Sequence, residues 1–345
     1  MANFKFNKEH KHWLTHSSPY LLATLLALPS AQLQAASFDE EEDEEDAPLT
    51  TQRLNEYTNS AEIVVRKRDN DSGKFGEYNA LEDQRLTIDG NVYINNTDYE
   101  GGTAEYYKLR AEDLGTENRE IEVEVGKQGS HSFNFTYEES ERQVWDSFDT
   151  PYNLSNDQTL PAGFPDLNDG TADTEASVSS FMTEHELKLD REKLSLGYMR
   201  KLAKGWTFNA GYSHENKDGH KDLGLMDGTS FQPIIFALPV EYKTDTANLA
   251  LEYVAKDYQV QFAYEVSAFD NGSTSTVIDS PYTAGTRMRI AQEPDNLFQQ
   301  ISVNGNFRFS PVTRATWFLA YNEATQDEDL LSINENQPGL GTGTG

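Results

Sequence analysis

The sequence has 345 residues, a formal net charge of −30 and no cysteine. The charge disfavours nucleic acid as a partner, although acidity can also serve solubility alone, and the absence of cysteine excludes disulfides, thiolate metal sites and covalent haem attachment to this chain. After the N-terminus, no stretch offers the ~18 consecutive apolar residues of a transmembrane helix, so a membrane protein with this sequence would have to be a β-barrel.

Residues 1–35 are predicted to be an export signal. Lys5, Lys8 and Lys11 form a basic region, and residues 20–28 form an apolar region too short to span a bilayer. Residues 33–35 then offer a cleavage site, which together with the preceding regions favours export over the alternative of a short buried helix.

Residues 36–84 are predicted to be an acidic, mostly irregular periplasmic segment. Its acidic run, residues 39–46, repels itself and is expected to be solvated, with a docking site for a basic partner as the alternative. Within the segment, residues 63–65 could form a short strand.

Residues 85–345 are predicted to be transmembrane β-barrel strands. In residues 258–268, apolar side chains such as Tyr258, Val260 and Phe262 alternate with Gln259 and Gln261, which gives a strand one apolar and one polar face. Ten strands follow from this kind of pattern, at residues 85–94, 104–112, 119–125, 130–137, 185–202, 206–214, 243–253, 258–269, 297–309 and 313–321.

Short and long connections alternate between these strands. The short turns are at residues 126–129, 203–205, 255–257 and 310–312, and the long links are at 138–184, 215–242, 270–296 and from 322 onward. Outer-membrane barrels have short periplasmic turns and long external loops, whereas a soluble sandwich has no reason to sort its loops by length. The sequence therefore predicts an all-β, antiparallel up-and-down transmembrane β-barrel in the bacterial outer membrane.

The alternation also assigns the two faces of the sheet. Aromatic residues on the apolar faces are expected to contact lipid, with ordinary core packing as the alternative: Tyr198, Trp206, Tyr212, Tyr253, Tyr258, Tyr264, Trp317 and Tyr321. Polar residues on the opposite faces are expected to line a lumen: Glu122, Glu124, Asn209, Glu252, Gln259, Gln261, Glu265, Asn304 and Arg308. A slip of one residue in register would reverse this assignment.

Several phrases resemble the MtrB/PioB family of outer-membrane proteins associated with decahaem cytochromes. The phrases are GKFGEYNALE at 73–82, DTPY at 149–152, TLPAGF at 159–164, GWTF at 205–208, YSHENKDG at 212–219, PVEYKTD at 239–245, FDN at 269–271, AQEPDN at 291–296 and LFQQISV at 297–303. Each phrase is weak alone, but in this order they are fairly specific.

The resemblance implies a barrel that acts as a sheath for a periplasmic decahaem c-type cytochrome, which passes electrons across the outer membrane to an external multihaem cytochrome or to metal. It also implies that the barrel is not an enzyme and that haem is carried by the partners. Barrels of this family have more than twenty strands, so about ten strands predict an incomplete barrel, the N-terminal portion of a larger one, and a wide lumen requires the larger number.

Two other functions remain open. A general diffusion porin would require a constriction loop with opposed acidic and basic residues, and the link at 138–184 is almost wholly acidic after Arg142. A barrel enzyme would require carboxylate or Ser-His pairs that converge at a rim. His131, His185, His214 and His220 show neither metal-ligand spacing nor an acidic partner at a recognisable interval.

Overall fold

The computed structural model describes residues 59–67, 77, 86–97, 102–167, 175–226, 233–328 and 331. The predicted export signal and acidic run lie outside these residues and stay predictions. Among the described residues, no helix is both long enough and apolar enough to cross a bilayer.

Fourteen strands account for most of the described chain. They are β1 (Ser60–Lys67), β2 (Leu86–Thr97), β3 (Glu105–Glu112), β4 (Glu120–Lys127), β5 (His131–Thr150), β6 (Asp157–Gln158), β7 (Thr183–Lys201), β8 (Trp206–Met226), β9 (Pro233–Val254), β10 (Tyr258–Asn271), β11 (Ser275–Asp279), β12 (Arg287–Ala291), β13 (Asn296–Ser310) and β14 (Thr313–Thr325). A helix of four residues, α1 (Glu175–Val178), and the 3₁₀ turn Ser179–Phe181 precede β7.

Eleven of these strands form one antiparallel sheet in the order β1-β2-β3-β4-β5-β7-β8-β9-β10-β13-β14. Each strand pairs with its neighbours along the chain, and the intervening β6, β11 and β12 belong to a separate sheet. The up-and-down, all-β fold predicted from the alternating side chains is therefore confirmed.

The sheet starts earlier than the sequence predicted. Strand β1 pairs along its whole length with β2, from Ser60 opposite Tyr93 to Lys67 opposite Leu86. The segment predicted to be mostly irregular up to residue 84 thus contributes a full strand, and the main sheet has eleven described strands instead of ten. The short apolar run at residues 63–65 is its centre, with Ile63 and Val65 on one face.

One of the predicted long loops is largely strand, and a second is strand in its first part. Residues 215–242 hold the distal halves of β8 and β9, which pair without a register shift from Trp206 opposite Tyr253 to Met226 opposite Pro233. The polar residues 215–222 do not prevent β8 from continuing here, because backbone pairing supplies the hydrogen bonds while the side chains stay partly exposed to water. Strand β5 likewise extends to Thr150 within the predicted link at 138–184.

The two edges of the main sheet run in the same direction. Among the described strands, β1 pairs only with β2 and β14 pairs only with β13. Since neighbouring strands alternate in direction, the first and the eleventh are parallel to each other. Closure into an antiparallel barrel therefore takes an odd number of additional strands.

The three remaining strands form a small sheet in the order β12-β11-β6. Strand β11 pairs antiparallel with β12 and, through Val277 and Ile278, parallel with Asp157 and Gln158 of β6. This contact joins the link between β5 and β7 to the link between β10 and β13. We call residues 151–167 and 272–295, which contain this sheet, the loop layer.

Candidate lumen face and loop layer

One face of the main sheet is apolar across all eleven strands. The register aligns Phe135, Leu196, Tyr212, Ala247 and Val266 in a single row over β5, β7, β8, β9 and β10. Val123 and Leu109 continue this row over β4 and β3, and Ile301 and Leu319 lie on the same face of β13 and β14. An apolar face of this extent requires an apolar solvent.

This face has little protein against it. Ile63 keeps 79% of its surface exposed and Leu319 keeps 69%. Large apolar side chains on a soluble sheet would be covered by a second layer. Bare side chains in register with one another are the arrangement that lipid contact produces in outer-membrane barrels.

Aromatic residues mark both ends of the apolar band. At the turn end, the ring of Tyr253 packs against Trp206 at 4.8 Å and against Tyr258 at 5.6 Å between centroids. At the loop end, the Tyr212 hydroxyl donates to Asp245 Oδ1 at 2.6 Å. The register places all eight aromatic residues predicted to contact lipid on the apolar face, and the polar edge of Tyr212 suits an interface.

The opposite face carries the residues predicted to line a lumen. Strand pairing places all nine of them on this one face: Glu122, Glu124, Asn209, Glu252, Gln259, Gln261, Glu265, Asn304 and Arg308. Their common face is a structural fact, and that this face surrounds a lumen stays a prediction. We call it the polar face.

Some of these residues lie in contact and others do not. Asn304 Nδ2 donates to Gln261 Oε1 at 2.9 Å, and the Gln259 amide donates to Glu252. Arg308 instead reaches the turn, where it donates to the Lys256 carbonyl at 2.7 Å. Three strands, β5, β7 and β8, separate Glu122 and Glu124 on β4 from Glu252 on β9. The nine residues therefore make a surface and not a single site.

The polar face has a charged part on β3 and β4. Glu124 accepts hydrogen bonds from the Tyr106 hydroxyl at 2.6 Å and from Lys108 Nζ at 2.9 Å. Sequence reasoning named Glu124 but missed its two partners, although β3 alternates like the other strands, with Tyr106 and Lys108 on the polar side. The alternation of β3 therefore already placed Tyr106 and Lys108 on the same face as Glu124.

The polar face is flat over β7 and β8. Gly197 lies opposite Gly211, with Asn134 and Asn248 as the next residues on either side of this pair. A Cβ atom at Gly197 would collide with the Asn134 amide, and one at Gly211 with the Asn248 amide. The two asparagine side chains therefore lie over the glycines, so this part of the wall has no projecting side chain.

The loop layer has its own hydrophobic core against the distal halves of β8 and β9. Phe236 and Ile278 are fully buried, and Tyr152, Ile234 and Leu238 are nearly so. The surrounding apolar side chains come from both links and from β8: Leu160, Leu223, Leu225, Tyr282, Met288 and Ile290. Sequence reasoning missed this layer, because its two halves are more than a hundred residues apart.

Polar contacts fix the same layer. The fully buried Gln158 amide donates to the Ala237 carbonyl, on the stretch of β9 that extends beyond its pairing with β10. Arg287 forms ion pairs with Asp157 and, at 2.9 Å, with Asp279. Buried polar groups with specific partners favour a single arrangement, so the layer is a folded element of the protein.

A three-membered contact ties the loop layer to the main sheet. Lys221 Nζ lies 2.8 Å from Glu293 Oε1 and 2.9 Å from the Tyr242 hydroxyl, which donates to Glu293 Oε2 at 2.7 Å. Burial alone would raise the pKa of Glu293, but the hydrogen bonds from Lys221 and Tyr242 outweigh it and lower that pKa. Burial would lower the pKa of Lys221, and its hydrogen bonds to Glu293 and Tyr242 raise it instead.

The Glu293→Gln substitution is expected to loosen this tie. Because the folded pKa of Glu293 lies below its ordinary value, its contribution is complete at neutral pH and is lost as the pH falls through the lowered pKa. The pair is partly exposed, so the loss is about 0.5–1 kcal/mol of local stability. Limited proteolysis of the loop layer between pH 7 and pH 3 measures it.

The control for this substitution is Glu105→Gln, which removes a carboxylate at the turn end of β3, separated from β8 by three strands. We expect proteolysis of the loop layer to depend on pH in the wild type and in this control, and to be faster and less dependent on pH in Glu293→Gln. Equal pH profiles in all three proteins would contradict the role of Glu293.

An up-and-down antiparallel sheet with one apolar face suited to lipid and one polar face is the architecture of a bacterial outer-membrane β-barrel protein. The sequence model of the family described as "Putative outer membrane beta-barrel porin, MtrB/PioB" matches residues 67–342. The chain therefore belongs to the MtrB/PioB family, as the resemblance implied, and its location is the bacterial outer membrane.

A curated relative is outer membrane protein MtrB of Shewanella baltica (strain OS185), 26% identical over 230 residues. The match covers 65% of this chain and 32% of that protein, so the chain spans about a third of the relative's length. Among solved structures, OmpT of Vibrio cholerae in its trimer form gives a TM-score of 0.34 at 9% identity, covering 78% of this chain and 67% of that one. Its loop L8 deletion mutant gives 0.31 at 11%, covering 84% and 65%.

Proposed function

We propose that this protein is part of an outer-membrane sheath that holds a multihaem c-type cytochrome for electron transfer across the membrane. The polar face is then the lumen wall. The observation that carries the proposal is the separation of the two faces: one face can contact lipid over its whole width, while the other offers amides, carboxylates and glycines to a partner.

The composition of the polar face suits a folded partner. Where Gly197 and Gly211 lie opposite each other, a partner can approach the backbone closely, with the amides of Asn134 and Asn248 available for hydrogen bonds. On β3 and β4, the ion pair between Lys108 and Glu124 offers charged contacts. A wall of this kind binds through shape and hydrogen bonds and excludes the partner from hydrocarbon.

The chemistry in this proposal belongs to the partners. A periplasmic decahaem cytochrome enters from the turn end, and an external multihaem cytochrome or a metal receives or supplies the electrons. The chain itself binds neither haem nor metal and catalyses no reaction. It keeps lipid away from the haem chain and holds that chain in register across the membrane.

The test is affinity purification of the tagged protein from detergent-solubilised outer membranes, read by haem staining and intact mass. We expect a multihaem cytochrome to co-purify in a fixed ratio, and to be absent from the same preparation of an untagged strain. A haem-free barrel that conducts ions in planar bilayers would contradict the sheath.

A general diffusion porin is the second candidate. The family description names a porin, and the folded loop layer is the kind of element that constricts a porin lumen. The purification above separates the two functions, because only the sheath requires a cytochrome in a fixed ratio.

A further inference from the structure

The hydrophobic core of the loop layer lies on the side of the main sheet that carries the polar face. Side chains alternate strictly along β8 and β9, which pair without a register shift over their whole length. Phe236 and Leu238 therefore share a face with Asn248, and Leu223 shares it with Asn209. These apolar residues form the floor on which the loop layer packs.

The apolar residues on which the loop layer packs lie outside the membrane-spanning part of β8 and β9. Strands β8 and β9 have 21 and 22 residues, whereas a tilted transmembrane strand needs about 9–11. On β9, the apolar band ends at Ala247 and is followed by Asp245. The residues from Thr244 to Pro233 therefore project past the band at the loop end, and the loop layer covers the polar side of this projection.

The connectivity makes the loop layer a bridge across one hairpin of the main sheet. One half of the loop layer leaves from β5 and β7, and the other leaves from β10 and β13, so the two halves start on opposite sides of the β8/β9 hairpin. They meet across that hairpin where Val277 and Ile278 pair with Asp157 and Gln158. The half that leaves β5 first packs Leu154 on the other side of the hairpin, against Ala237, and then brings Leu160 into the core on the polar side.

From these two observations we infer that the loop layer is a fixed constriction over the loop-end mouth of the lumen, which limits the size of what can pass. The small sheet packs Ile278 and Thr276, both fully buried, toward β8 and β9. Its opposite face carries Arg287 with Asp157 and Asp279 and turns this polar surface toward the barrel axis. The inference needs the polar face to be a lumen wall, but it needs no cytochrome.

The constriction keeps one arrangement because specific hydrogen bonds connect the side chains inside the loop layer. Thr276 Oγ1 accepts a hydrogen bond from Gln292 Nε2 at 2.9 Å, and the Tyr152 hydroxyl donates to the Asp279 carbonyl at 2.8 Å. The tie at Lys221, Tyr242 and Glu293 holds the base of the layer. A layer with a hydrophobic core and such contacts narrows the mouth permanently.

The test is the single-channel conductance of the protein, purified from outer membranes and freed of partners, in planar lipid bilayers. Ile278→Asn places an amide in the core of the loop layer and is expected to release it. Val277→Asn makes the same change on the other face of the same strand and is the matched control. Because the chain has no cysteine, a single cysteine at position 275 labelled with maleimide reports the release directly.

We expect Ile278→Asn to raise the conductance at least about twofold, since conduction follows the narrowest part of a pore, and Val277→Asn to leave it unchanged. A second variant replaces residues 273–291 by a short Gly-Ser linker and leaves β10 and β13 intact; it should give the same rise. If the linker variant has the same conductance as the wild type, the inference is overturned. This holds also when neither protein conducts. Cytochrome recovery, measured separately, tests the sheath.

Discussion

Phe262→Arg is expected to destabilise the folded sheet by about 2–4 kcal/mol, the cost of an arginine on the lipid face near the bilayer midplane. Phe262 lies in the middle of the apolar part of β10, opposite Leu251 and Val303, and is 48% exposed. An arginine there meets hydrocarbon and finds no carboxylate in its row. Urea titration in detergent or lipid vesicles, followed by tryptophan fluorescence, measures the loss.

The matched control is Gln261→Arg, which makes the same change one residue earlier on the polar face. Gln261 lies opposite Glu252 and Asn304, so an arginine can pair with a carboxylate in an aqueous environment, and we expect a change within about 0.5 kcal/mol. If Gln261→Arg proved the more damaging of the two, the face assignment would be reversed. Equal and small losses would show that neither face meets lipid.

The transmembrane halves of the strands could be predicted because two different solvents act on them. Lipid on one side and water on the other require strict alternation, and β10 shows it from Tyr258 to Ala268. Short turns, such as the one that Gly205 closes with a φ of 89°, could be predicted for a similar local reason. Alternation fixes which residues share a face within one strand.

The distal halves of β8 and β9 were not predicted, because lipid and water require alternating side chains only within the bilayer. Residues 233–240 form a nearly continuous apolar run, which is typical of a strand buried on both faces; the structure buries one face from Ile234 to Val240 and the other at Ala237, while Ile235 stays exposed. Prolines at 233 and 239 are unfavourable for a central strand, because proline cannot donate a backbone hydrogen bond. Pro239 is tolerated because β10 pairs only as far as Tyr242, so this part of β9 is an edge.

Pairing between strands was also beyond the sequence. The periodicity places Asn134 and Asn248 on the polar face, but only the register shows that two glycines lie between them. The flat part of the wall is therefore a property of four strands together. The loop layer is a stronger case, since it depends on a contact between Val277 and Asp157 that no local pattern encodes.

Small side chains elsewhere on the polar face make the sheath proposal testable by shape alone. Ala263 on β10 lies opposite Ala250 on the polar face, between Gln261 and Glu265. A partner that packs against this wall has no room for a large ring there, whereas a solvent-filled pore has. Ala263→Trp is therefore expected to lower the recovery of multihaem cytochrome by about tenfold, a loss of about 1.4 kcal/mol in binding.

The control is Ala210→Trp, which adds the same ring to the apolar face of β8 opposite Leu249. Indole is well tolerated on a lipid-facing surface, so assembly and cytochrome recovery should both match the wild type. Haem staining per mole of purified barrel measures the difference between the two variants. If Ala263→Trp assembles normally and recovers as much haem as Ala210→Trp, the cytochrome does not pack against this wall. The polar face would then line a water-filled channel, as the porin requires.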